Sequence, residues 1–483
     1  MFNTKPSLYL FVDRRFGILF GRSGCMEVTK TGKQAISLTK PMLSFLVPVI
    51  LASVLQSLGQ VFGMIVVGKS LGIDALAAIA AFFPLLFFLV SFAIGIGSGS
   101  SILIAQTYGA GNIPRMKEVV GVSLATTMIV SVAVGAFGSF FAENILKWMG
   151  TPANILVEST KYAQILFLTM PITFFYITYT TFLRGVSDSK TPFYFLLINT
   201  ILNMLLLPVF IFGWVGVPAF GLYGAAYASV VSGILTCVLL LGYLHQKSHV
   251  LKVDRMVLKH CRLNGEILRT LLRLAIPTSI SMVSLAMSEI AVITFVNEYG
   301  SNATAAYGIV NQIASYVQIP AMSISIAISV FVAQFIGSQK TAQIRYATKT
   351  GIWLNYVMGG ALVILVYLLS RPILGVFLDH EEAIEIAQSL ILISFWSYLI
   401  LGHTQAISAT MRASGTVMWP TIFTISCIWL IQVPVAYLLS HFTELGIQGV
   451  WVAYPVAFLV NLIAQSTYYR FYWKKKTLQA LLQ

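Results

Sequence analysis

The 483-residue chain is 58% hydrophobic and only 10% charged, with a mean hydropathy of +0.85. Soluble domains carry about 25% charged residues, so that class is excluded, and continuous apolar runs of about 20 residues exclude the alternating pattern of barrel strands. A net charge of +14 does not mark a nucleic-acid partner, because its basic residues gather at the chain ends and in alternate loops, leaving no basic face with interleaved aromatics.

In chain order, residues 1–40 read as a cytoplasmic amino-terminal segment. A short apolar patch within 1–25 is broken by Asp13, Arg14 and Arg15, no cleavable signal is evident, and Met26 offers an alternative start. Membrane spans are predicted over 41–68, 75–107, 117–143, 159–184, 192–214 and 221–245, giving an amino-terminal lobe of six helices over 41–245. A polar linker at 246–269 carries Lys247, Lys252, Arg255, Lys259, Arg262 and Arg269. Its end sets Ile267, Leu268, Leu271 and Leu272 against Arg269 and Arg273, which predicts an amphipathic stretch lying on the cytoplasmic membrane surface. Six further spans follow, over 270–297, 303–336, 346–371, 383–411, 420–440 and 447–471, a second lobe over 270–472 before a cytoplasmic tail at 473–483. An all-α bundle follows, because lipid leaves backbone polar groups no partner outside a helix or a closed barrel.

Every Lys and Arg except Lys69, Lys147, Lys161 and Arg371 lies at a chain end or in an even-numbered loop. The positive-inside rule then puts both termini in the cytoplasm of a cell whose inner membrane holds the chain.

Internal repetition is the stronger signal. A shift of 228 residues sets Gly72 on Gly300, Ala77-Ala78 on Ala305-Ala306, Gln106 on Gln334, Gly109 on Gly337, Arg184 on Arg412 and Pro192 on Pro420. Pro48 and Pro277 agree within one residue. An even number of spans per repeat makes both lobes enter from one side, related by a pseudo-two-fold axis along the membrane normal. Parallel repeats of this kind are a transporter architecture, with alternating access by rocking.

Of the 16 acidic residues, only Glu289 lies well inside an apolar span, in the seventh. A carboxyl is costly there, so it reads as the coupling-cation residue, with hydrogen bonding to a neighbouring helix as its structural alternative. Ser284 and Ser288 flank it, and the helix-eight groups Asn311 and Gln312 are expected within its reach. Further polar groups that could line a substrate cavity are Gln60, Asn203, Tyr316 and His403, although interhelical hydrogen bonding is the common role of such residues. Gln56, Asn199, Gln405 and Gln432 belong with that second role. Tyr307, Tyr398, Trp396, Trp429 and Trp451 offer aromatic walls for an amphiphilic cation. Gly95, Gly97 and Gly99 permit close helix approach.

Several chemistries are missing from the pattern. Cys25, Cys237, Cys261 and Cys427 form no CxxC pair, the six histidines show no ligand spacing, and no Walker motif occurs. No metal site, no cofactor, no enzymatic activity and no ATP-driven step are expected.

Certain stretches, taken in order, resemble the multidrug and toxic compound extrusion (MATE) family of bacterial type, over roughly residues 40–472. They are Val67 to Gly72 followed by Asp74 to Ala78, Gln106 to Gly111, Leu183-Arg184-Gly185 leading through Asp188 to Lys190-Thr191-Pro192, Asn203 before Pro208, and Gly221 to Ala226. The second half repeats them with Met411 to Gly415 and Gly446 to Trp451. The resemblance implies an exporter of organic cations and other xenobiotics in exchange for H⁺ or Na⁺. Positions where members of the family often carry an acid hold Gly63, Leu207 and Thr416, and the helix-seven acid of one branch is replaced by Leu285, with Glu289 one turn further on.

The expected function is therefore secondary active export of a small organic cation by antiport with H⁺ (or Na⁺), in a multi-pass protein acting as a monomer among membrane lipids. A flippase for a lipid-linked saccharide is the alternative, but it calls for several cavity arginines or lysines to hold pyrophosphate. None lies clearly mid-span. A channel is disfavoured too, since it commonly offers a ring of equivalent polar groups.

Overall fold

The structure is a computed structural model that describes residues 38–482 apart from 263 and 379. The expectations for residues 1–37 lie outside the described residues. Among the latter, ten helices are long and apolar enough to cross a membrane, or twelve spans when two bent pairs are each taken as one. The first lobe contains α1 (Thr39–Leu71), α2 (Ile73–Gly109), α3 (Ile113–Trp148), the bent α4 (Ala153–Leu168 and Met170–Gly185), α5 (Lys190–Phe212) and α6 (Leu222–Gln246). The second contains α7 (Gly265–Asn297), α8 (Ser301–Gly337), α9 (Ala342–Leu374), the bent α10 (Glu381–Ser394 and Ser397–Ala413), α11 (Met418–Phe442) and α12 (Ile447–Phe471).

Local chemistry sets the boundaries. Gly72 (φ 85°) and Gly300 (φ 92°) turn the chain between α1 and α2 and between α7 and α8, a backbone that L side chains resist, which accounts for their recurrence at one offset. Asn112 caps α3 by accepting from Arg115 N at 3.0 Å, and Asn264 caps α7 by accepting from Glu266 N at 3.0 Å.

Two expectations are corrected. Spans four and ten are not continuous: α4 bends by 50° and α10 by 44°, at matching places in the two lobes. In α4 the second segment starts with Pro171 in its first turn, and Gly135 and Gly138 of α3 leave room for Phe167 at the bend. In α10 no proline is present. The Tyr367 hydroxyl instead donates to Leu392 O (3.3 Å) and accepts from Trp396 N (3.1 Å), so a side chain from α9 satisfies the groups freed by the bend. The second correction concerns the linker end. Ile267 and Leu271 do not lie on a membrane surface but are fully buried in the first turns of α7, where Leu271 packs against Gly99 of α2.

The linker itself folds as a short helix, Arg255–Lys259, against the start of α3. Asp254 caps that helix through the amides of Met256 and Val257 and pairs with Lys117 of α3. Burial pushes the Asp254 carboxyl up, but the Lys117 ammonium and those amides outweigh it and hold it below its ordinary range. Burial lowers the His249 ring, opposed by Asp188 at 3.6 Å.

The buried apolar residues fall into three clusters, and their arrangement gives the molecule its shape. The end that carries both described chain ends and the linker, hereafter the basic end, has one cluster drawn from both lobes, including Phe45, Leu103, Phe182, Leu271, Ile328 and Met411. At the opposite end each lobe has its own cluster: Phe82, Phe167 and Leu207 in the first, Val296, Phe395 and Trp451 in the second. The lobes therefore join at the basic end and part towards the other. Their junction runs along α2, α7 and α8, where Gly95 and Gly99 let α7 approach and Ser279 Oγ donates to Ser91 O across the lobes at 3.2 Å.

Candidate functional site

Glu289 projects from α7 into a polar cluster within the second lobe. Its Oε2 accepts from the Tyr307 hydroxyl at 2.7 Å and from Asn311 Nδ2 at 3.3 Å, both on α8. These donors stand four positions apart, so they share one face of α8. The Tyr307 hydroxyl also meets the Tyr454 hydroxyl of α12 at 2.8 Å, and its ring stacks on Trp451 with centroids 5.8 Å apart and planes 6° apart. Trp451 is fully buried and Tyr307 nearly so, which fixes the hydroxyl that faces the carboxyl. Three helices thus converge on one acid, which remains partly open.

Chemically, the cluster can hold Glu289 in either protonation state. An ionised carboxylate accepts from Tyr307 and Asn311, whereas a protonated one needs fewer donors, and Tyr307 can turn its hydroxyl to Tyr454 instead. Among the described residues no three His, Cys, Asp or Glu side chains converge as metal ligands would.

Of the residues singled out from sequence, the structure brings Asn311 and Tyr307 onto Glu289, and Trp451 against the Tyr307 ring. Gln312 faces away and is exposed, as is Tyr316 on the same helix. Ser288 is buried and bonds its own helix at Leu285 O. His403 pairs with Tyr356 of α9, Nδ1 to hydroxyl at 2.9 Å. In the first lobe Asn203 donates to Ser229 Oγ (3.2 Å) and Ser232 Oγ (3.3 Å) of α6, an interhelical bond. Gln60 is exposed on α1. Tyr454 is the member of the cluster that the sequence reading passes over. Its available signal is its place three residues after Trp451, on the same helix face.

Comparison with known proteins fits this architecture. The MatE family model matches twice, over residues 48–209 and 277–438, so each match starts at the proline of a lobe's first helix. A probable multidrug resistance protein, YoeA of Bacillus subtilis (strain 168), is 53% identical over 451 residues, 93% of this chain and 97% of that one. An FAD transporter of Shewanella oneidensis is 25% identical over 82% of this chain and 86% of its own. A solved structure described as the outward-facing conformation of a multidrug resistance MATE family transporter has a TM-score of 0.82 at 23% identity, covering 92% of this chain and 98% of that one. The chain accordingly belongs to the MATE family and is a multi-pass membrane transporter, not an enzyme.

Proposed function

We propose that the protein exports small organic cations by antiport with protons, that Glu289 is the coupling residue, and that the lobes rock about their junction. The observation that carries this reading is the carboxyl of Glu289, set within a span and held by two neutral donors from one face of α8. A carboxyl in that setting is costly to retain without a cation to bind. One acid among neutral partners can carry a proton, whereas Na⁺ asks for several oxygen ligands. A substrate cation and a proton compete for the same carboxylate, and that competition is the reciprocal coupling antiport requires.

In this reading the basic end is cytoplasmic, with residues 246–269 as the cytoplasmic connection between lobes 41–245 and 270–472. What supports it is the gathering of lysines and arginines at that end. The lobes, closed there and parted opposite, then stand open to the outside, where a proton arriving at Glu289 displaces substrate. The aromatic groups beside Glu289 suit a cationic, flat substrate, and the name of the 53% identical relative points to drugs.

The test is reconstitution into liposomes with pH and Na⁺ gradients imposed separately. Dye-cation transport is expected to follow the pH gradient and to ignore Na⁺. Transport driven by Na⁺ alone would overturn proton coupling.

A further inference from the structure

The repeated stretches 106–109 and 334–337, each Gln-x-x-Gly, play no part in the coupling site, yet the fold brings them together. At the basic end α2 and α8 cross so closely that a Cβ on Gly109 would run into the Gln334 backbone, and one on Gly337 into the Gln106 backbone. Each glutamine then reaches into the opposite lobe. Gln106 Nε2 donates to Ala413 O at 2.7 Å, at the end of α10. Gln334 Nε2 donates to Gly185 O at 2.9 Å, at the end of α4, and to Ser187 Oγ at 2.9 Å. Gly185 and Ala413 are themselves one repeat apart, so the two bonds are symmetry mates. Both use carbonyls at helix ends, which lack intrahelical partners.

The symmetry breaks at one atom. Where Gln334 has Ser187 of the other lobe, Gln106 presents its Oε1 to the backbone amide of Leu481, which donates at 2.8 Å. That amide belongs to the chain end, which folds back under the second lobe. Trp473 is buried and its Nε1 donates to Ser414 Oγ at 2.8 Å, the Leu481 side chain lies against Gly415, and Leu482 is buried. The tail thus touches Gln106 of one lobe and the α10–α11 turn of the other, across the seam that must open.

We propose that Gln106, Gln334 and the carboxy-terminal segment 473–482 form a latch that holds the basic end shut, and that its release is a step in every transport cycle. The bonding partners suit reversible use. Sealed in the junction, Gln106 is 1% exposed and satisfied by Ala413 and Leu481, and once the lobes part at this end water can replace both. A glutamine at each seam gives closure a defined register, whereas apolar contacts around it could slide. The inference rests on the alternating-access reading of the preceding section.

The experiment measures lobe separation directly. In a full-length chain with its native cysteines replaced, Lys247→Cys and Lys349→Cys place spin labels on exposed positions of the two lobes near the basic end. Distances are read by pulsed electron resonance in nanodiscs. Gln106→Ala, Gln334→Ala and a chain ending after Thr477 are each expected to raise the ratio of the wider to the narrower population by about fivefold, the effect of about one hydrogen bond. Loss of the tail spares every span, so it serves as the variant least exposed to misfolding. If the wild type populates both separations and no variant shifts them, the latch is overturned while rocking stands. A shift with both glutamine variants but not with the shortened chain would remove the tail from the latch. If wild type and variants all hold one separation with and without a proton gradient, alternating access fails and the latch with it.

Discussion

In the second lobe α7 places Glu289 twelve residues after Pro277, against Tyr307 and Asn311 and, through Tyr307, Tyr454. In the first lobe α1 places Gln60 twelve residues after Pro48, exposed. Tyr307 stands seven residues after Gly300, and the residue seven after Gly72 is Ile79; Tyr454 stands eight after Gly446, and the residue eight after Gly221 is Ser229. Acid and two phenols in one lobe thus correspond to amide, alkane and small hydroxyl in the other. The helices, their turning glycines and their bends recur, while the titratable chemistry does not. Duplication supplies the turns and bends of both lobes, and a difference at three positions leaves the intramembrane acid and its phenol partners in the second.

The sharpest way to break that contrast is to remove the acid and its counterpart in turn. Glu289→Gln should lower pH-driven efflux of a cationic dye by about 5- to 150-fold, the range of a typical coupling energy. Gln60→Ala should change it by less than about twofold, the change expected of a surface position. Equal losses in the two variants, at equal amounts in the membrane, would erase the functional distinction between the lobes.

The donors come next in size. Tyr307→Phe keeps the ring on Trp451 but removes the hydroxyl shared by Glu289 and Tyr454. Hydrogen bonds to charged groups contribute about 1.5–3 kcal/mol, so a fall in coupled efflux of about tenfold or more is expected, with an altered pH profile. Asn203→Ala removes bonds from the matching interior of the other lobe, and its pH profile should stay that of the wild type. A Tyr307→Phe chain with an unchanged profile would separate the phenol from the coupling step.

The bends offer a smaller, structural contrast. Tyr367→Phe deletes the hydroxyl that serves both Leu392 O and Trp396 N at the bend of α10. The loss should lower unfolding free energy by about 1 kcal/mol, read as reduced thermal stability in detergent. The α4 bend has Pro171 where α10 has no proline, so the hydroxyl matters in one lobe alone. No loss of stability in Tyr367→Phe would mean that water satisfies the α10 bend.

These contrasts separate what is legible in the sequence from what is not. The spans are legible because lipid forces about 20 apolar residues per crossing, and the repeat because Gly72 and Gly300 need the same positive φ. Glu289 is legible because an intramembrane carboxyl is rare. The bends escape a hydropathy reading, since Phe395-Trp396 is as apolar as an unbroken helix and its stabilising hydroxyl comes from α9. Asn311 and Gln312 are equally polar neighbours, yet successive residues on a helix point about 100° apart, so only one can meet Glu289. Gln106 and Gln334 stand out in the repeat, but their partners lie in the opposite lobe, more than 145 residues away, and no local pattern reveals that pairing.

At the basic end the lobes differ in charge as well, and here the expected effect is smallest. Lys117 of α3 and Arg345 of α9 are one repeat apart. Lys117 is paired with Asp254 from the linker, whereas Arg345 makes no ion pair among the described residues and instead lines a cavity of about 450 Å³ with Lys474 and Lys476. Asp254→Asn tests what the first pairing contributes, because asparagine keeps the cap on the short linker helix while removing the charge. Partly exposed pairs contribute about 0.2–1 kcal/mol, so thermal unfolding at neutral pH should shift by that amount and no more. The sign of the pH dependence follows from the Asp254 carboxyl lying below its ordinary value of 3.8 when folded. Its contribution is fully present above that value and is lost as pH falls through the lowered one. Wild type and Asp254→Asn should therefore differ at pH 7 and converge in acid below the ordinary carboxyl range, while Arg345→Gln, with no acidic partner to lose, should show no such convergence. A constant difference for Asp254→Asn across that range would assign its effect to packing of the linker instead of charge, and the asymmetry between Lys117 and Arg345 would then carry no energetic meaning.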